Sequence, residues 1–154
     1  MKMYIPFGDW SDDGHGKYEK VLIDAPSMQY LLDAQDRICD TWGKSFFDGF
    51  ADEYEEPKLS DVIWEALIYT KYPIERFIEK EEVNDWGDCT SLEDVLKNDP
   101  SPYVSLSFVE DAFIWLLNAY GAQITLLEEK EDIPMICNWT CHGFQTVGYG
   151  CFYG

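Results

Sequence analysis

The chain has 154 residues, enough for one globular domain with a full core. Its 46% apolar and 16% aromatic content excludes collagen-like, coiled-coil and disordered classes, since rings at that density exist to be packed. Eleven Lys and Arg against 30 Asp and Glu give a net charge of −19. That field repels phosphate backbones and anionic lipid, which argues against direct binding to nucleic acid or membrane.

Two strands are expected first, over 3–8 and 17–24, joined by the Gly-rich loop Asp9-Trp10-Ser11-Asp12-Asp13-Gly14-His15-Gly16. Pro26-Ser27 opens a helix whose Met28, Leu31, Leu32, Ile38, Cys39 and Trp42 form an apolar stripe, with Gly43 as a left-handed stop. Residues 44–59 read as irregular. There Phe46, Phe47 and Phe50 sit among acids, and the segment is a candidate contact surface.

Ser60 is expected to cap a second, mostly apolar helix that ends before Pro73. Ile74, Phe77 and Ile78 mark a short amphipathic turn, and Ser91 caps a brief helix through Leu92, Val95 and Leu96. Ser107-Phe108-Val109-Glu110 has the form of a capping box. The helix it opens carries only the narrow polar sector of Glu110, Asp111 and Asn118, and so reads as the central core helix, ended by Gly121.

Gln123 to Leu127 reads as strand. From Ile133 to Gly154 there is no Asp, Glu, Lys or Arg. Two further strands are expected there, over 135–141 and 144–152, as central members of an antiparallel sheet or as an exposed Gly/aromatic partner surface. The fold class expected for this single domain is α+β: a mainly antiparallel sheet from the N-terminal hairpin and C-terminal strands, with four to five helices packed mostly on one face.

No apolar run is long enough for a signal-peptide core or a membrane span, so Cys39, Cys89, Cys137, Cys141 and Cys151 read as reduced thiols in a cytoplasmic protein. Cys137-x-x-x-Cys141-His142 with Cys151 invites a zinc reading. On one strand, however, Cys137 and Cys141 stand about 13 Å apart at about 3.3 Å per residue, too far for one ion. Asp9-x-Ser11-x-Asp13-Gly14 resembles the first half of an EF-hand calcium loop, but Lys20 stands where the bidentate glutamate belongs. The commoner use of such a loop is Asx-turn chemistry.

The chain has no phosphate-binding glycine loop, zincin helix or nucleophile elbow, so no cofactor is assigned. The largest functional signal is the carboxylate excess. Clustered beside aromatics, it suits a small acidic, non-enzymatic binding or inhibitory protein, of the immunity, anti-defence or DNA-mimic type. The partner expected is a basic protein such as a nuclease or other nucleic-acid-binding protein. Its contacts are expected first at Phe50, Asp52, Glu53, Tyr54, Glu55 and Glu56, then at Glu81, Glu82, Asp85 and Trp86. The alternative is a metal-assisted hydrolase built on the Asp9 to His15 loop, with Asp9, Ser11 and Asp13 as ligands and His15 as general base.

Overall fold

The computed structural model describes residues 1–9, 18–50, 58–82, 88–127 and 147–149. In chain order these form β1 (Lys2–Asp9), β2 (Tyr18–Asp24), α1 (Met28–Trp42), a 3₁₀ turn (Phe46–Phe50), α2 (Asp61–Tyr69), α3 (Ile74–Glu81), α4 (Leu92–Asn98), α5 (Leu106–Ala119), β3 (Thr125–Leu127) and β4 (Val147–Tyr149). Five helices with an antiparallel β1-β2-β3 sheet make the fold α+β.

The strand order is β3-β2-β1-β4. β1 and β2 pair over seven residues, from Lys2 opposite Asp24 to Gly8 opposite Tyr18. One expectation is corrected here: among the described strands β4 lies at the end of the order, and it runs parallel to β1 instead of antiparallel, Phe7 opposite Val147. A parallel partner needs a crossover connection, and the helices between β2 and β4 lie within it. The expected strand 135–141 lies outside the described residues.

Met3 and Ile23 are register partners, and both enter one hydrophobic core with α1, α2, α3, α4 and α5. Helix α5 is its axis: Phe108, Val109, Ala112, Phe113, Ile114, Leu116 and Leu117 are all buried. Ring contacts, edge-on except for the stacked pair Trp64–Phe108, bind two aromatic groups to it. Phe46, Phe47, Phe50 and Phe113 form one, while Trp64, Tyr72, Phe77 and Phe108 form the other.

Several helix ends depart from the sequence pattern for local reasons. Gly43 stops α1 at φ 103° and ψ 160°, a glycine-favoured conformation outside the left-handed helical region, with its N–H on the Cys39 carbonyl at 2.8 Å. Ser60 precedes α2, but its hydroxyl makes no cap hydrogen bond. The Gly49 backbone crowds that hydroxyl so closely that a Cβ at residue 49 would lie 2.2 Å from Ser60 Oγ, while Ser60 N–H donates to the Gly49 carbonyl at 2.8 Å. Ser91 caps α4 as expected, its Oγ accepting from Asp94 N–H at 3.2 Å. Asp94 answers by accepting from the N–H and hydroxyl of Thr90, and these bonds hold its carboxyl below the usual range.

The start of α5 corrects the expected capping box. The cap is Ser105, whose Oγ accepts from Phe108 N–H at 3.1 Å; Ser107 lies inside the first turn and is exposed. The place a box glutamate would take is filled by Glu81, the last residue of α3, whose carboxylate accepts from Ser105 N–H at 2.8 and 3.2 Å. A charge that α3 delivers thus sits at the positive end of α5. At the other end Asn118 acts as a backbone mimic, accepting from Ile124 N–H at 2.7 Å and donating to Ile124 O at 3.0 Å, which turns the chain into β3.

Candidate functional site

Three helices present carboxylates on their solvent faces. Asp36 and Asp40 on α1, Asp61 and Glu65 on α2, and Glu75 and Glu79 on α3 are each a pair spaced by four residues, and all six are exposed. Neighbours at that spacing stand one above the other on a helix, and like charges there repel at about 0.2–0.5 kcal/mol per pair. Glu82 continues the α3 row one turn on, exposed and in a left-handed conformation at φ 55°. Among the described residues, ion pairs join Met1 to Asp24 and Arg76 to Asp111.

The described residues expected at the partner surface divide three ways. Glu82 lies on the acidic row of α3. Glu81 is half-buried under the α5 cap, where burial pushes its carboxyl up and the Ser105 N–H and hydroxyl pull it back. Phe50 is 0% exposed and packs edge-on against Phe46 and Phe113, so its ring belongs to the core and faces no partner. Asp52, Glu53, Tyr54, Glu55, Glu56, Asp85 and Trp86 lie outside the described residues. Asp9 ends β1 opposite Tyr149 of β4, while Ser11, Asp13 and His15 lie outside the described residues, as do Cys137, Cys141, His142 and Cys151.

The most organised polar centre was not anticipated. Asp111, on α5 and only 4% exposed, takes Arg76 bidentately, with Nε and Nη2 each at 2.6 Å, and accepts a hydrogen bond from the Tyr72 hydroxyl. Burial, and then donation to the carboxylate, push the Tyr72 hydroxyl far up. The Arg76 guanidinium stacks over Trp115 at 5.6 Å, and Trp115 Nε1 donates to Thr70 Oγ1 at 3.0 Å. Both oxygens of Asp111 are engaged by donors, so its chemistry is that of a structural ion pair and not of a proton acceptor. Its only sequence signal was the place of Asp111 in the narrow polar sector of a mostly apolar helix; no local pattern tied it to Tyr72 and Arg76.

That centre floors a cleft of about 400 Å³ lined also by Pro73, Glu75, Glu79, Lys80 and Leu126. A wider cleft of about 710 Å³ lies between α1 and the end of α5, lined by Tyr30, Asp33, Arg37, Ala119, Tyr120, Gly121 and Gln123. Among the described residues no three His, Cys, Asp or Glu side chains converge to hold a metal ion, and no helix is long and apolar enough to cross a membrane. Cys39 and Cys89 are free; Cys39 is half-buried, and burial followed by the charges of Asp36 and Asp40 pushes its thiol up. Comparison with protein-family models, with curated proteins and with solved structures finds no match for this chain.

The cap supplied by Glu81 can be tested directly. Glu81→Ala leaves the half-buried Ser105 N–H without its acceptor and is expected to cost about 1–2 kcal/mol in urea unfolding. Glu81→Gln keeps an acceptor oxygen and removes the desolvated charge. Because the folded state holds Glu81's proton more tightly than the unfolded chain does, ionisation works against folding, and stability falls as pH rises from about 4.5. Glu81→Gln is therefore expected to flatten that slope and to match or exceed the parent at neutral pH. A Gln variant as damaged as the Ala variant would show that the charge itself, and not the acceptor, holds α5.

Proposed function

We propose that this chain is a non-enzymatic binding protein whose acidic helix faces engage and inhibit a basic protein, of the kind a nuclease or other nucleic-acid-binding protein is. The observation that carries this reading is the alignment of like charges at four-residue spacing on α1, α2 and α3. Each pair costs the helix a few tenths of a kcal/mol. A surface needing only solubility is served as well by interspersed signs, which stabilise instead of repelling. Rows of exposed carboxylate, backed by a rigid aromatic core, offer a basic partner a preorganised field. They would steer it during encounter and compete with the phosphates it otherwise binds, imitation of DNA being one form of such competition.

The test is capture from a lysate of the source cell at low and high salt, followed by association kinetics with the partner found. One stoichiometric basic protein, released by salt, with an on-rate falling steeply as ionic strength rises, is the expected result. An affinity unchanged between low and high salt would overturn the reading.

A further inference from the structure

The C-terminal ends of α1, α2 and α5 meet through aromatic side chains. Trp42 is the last residue of α1 and Tyr69 the last of α2; their rings lie edge-on with centroids 5.9 Å apart. Trp42 Nε1 in turn donates to the hydroxyl of Tyr120, the residue that closes α5, at 2.7 Å. Both ends of the indole are thus fixed. Tyr69, which leans on it, is 72% exposed, the highest value among the described large apolar and aromatic side chains.

Three helix C-termini bring partial negative charge to one place. The chain itself responds to that field: Arg37 Nη1 donates to the Tyr120 carbonyl at 2.7 Å. Glu65 lies exposed one turn before Tyr69, and Asp36 and Asp40 lie exposed along the last turns of α1. Lys44 and Lys71 follow the ends of α1 and α2 and are the opposing charges, but neither lies over a described ring. Two rings elsewhere carry the protein's own cations. Lys58 Nζ stands 4.3 Å over the exposed ring of Tyr103, and Arg76 covers Trp115. Among the described residues Tyr69 has no such cover.

We propose that Tyr69, held by Trp42, is the anchor site for a lysine or arginine side chain of the basic protein partner. This rests on the acidic-binding function above and names the point at which a cation seats. An aromatic face in a negative field binds a cation by its ring quadrupole, and a ring already fixed by its neighbour loses little freedom on doing so.

The experiment uses the whole chain, an arginine-rich peptide as probe and a glutamate-rich peptide of equal length as control, at low ionic strength. The arginine peptide is expected to shift the Trp42 indole N–H resonance, assigned through Trp42→Phe. Tyr69→Ala is expected to weaken binding about fivefold and Tyr69→Phe to restore it, whereas Tyr103→Ala changes it by less than about twofold. An arginine peptide that binds the parent and Tyr69→Ala equally well would overturn this anchor while leaving the acidic faces as a binding surface. No binding by the parent at low salt would overturn the anchor and the acidic-binding reading together.

Discussion

Arg76→Ala is expected to destabilise the fold by about 3–5 kcal/mol in urea unfolding, more than Asp111→Ala does. The asymmetry follows from exposure. The Asp111 side chain is 3% exposed and the Arg76 side chain 41%. Removing Arg76 strands a carboxylate that keeps only the Tyr72 hydroxyl. Removing Asp111 leaves a guanidinium that can turn to water and remain over Trp115, so that the Tyr72 hydroxyl is the principal unsatisfied group, at about 1–3 kcal/mol. Against a total stability of about 5–15 kcal/mol, the first loss is a large fraction of the whole. Replacing all three at once, Tyr72→Phe with Arg76→Met and Asp111→Leu, leaves no stranded polar group and is expected to recover most of the loss. The reverse order of the single variants, or two losses both under about 1 kcal/mol, would show that the trio does not organise the α3–α5 contact.

Phe50→Ala is expected to cost about 3–5 kcal/mol, the range for deleting a buried phenyl ring and leaving its space unfilled. Phe50 touches Phe46 within the 3₁₀ turn and Phe113 on α5, at centroid distances of 5.9 and 5.5 Å, so its loss loosens the turn and the central helix together. The variant separates two roles that the sequence leaves confounded. A lower unfolding midpoint with partner affinity retained under folding conditions is the signature of a core ring. Unchanged stability with lost affinity would instead make Phe50 a surface anchor.

Elements set by local chemistry were legible in the sequence. The stripe from Met28 to Trp42 marked α1, Gly43 its end, and Ser91 the start of α4, because period and cap lie within a few residues of each other. What depends on distant partners was not. Ser107 competed with Ser105 for the cap of α5, and the deciding carboxylate comes from Glu81 on another helix. Asp111 looked like part of a polar sector because Arg76 and Tyr72, which make its burial tolerable, lie a helix away. Phe46, Phe47 and Phe50 looked like surface because their sequence neighbours are acidic; a 3₁₀ turn, which gathers side chains three apart on one side, directs them inward. Of the expected partner-surface residues, the described ones resolve into one exposed acid, Glu82, one structural acid, Glu81, and one core ring, Phe50.

The parallel pairing of β1 with β4 also orders events in time. Phe7 cannot meet Val147 until residue 147 has left the ribosome, whereas the β1-β2 hairpin and the helices from α1 to α5 can form before then. Throughout that interval the β4-facing side of β1 carries unpaired backbone donors and acceptors, the kind of edge on which neighbouring nascent chains join. By the time α4 is complete the emerging segment already holds most of the carboxylates behind the net charge of −19, so two such intermediates meet as polyanions and repel. The acidity proposed to attract one basic partner also keeps copies of this chain apart while their sheets are still open.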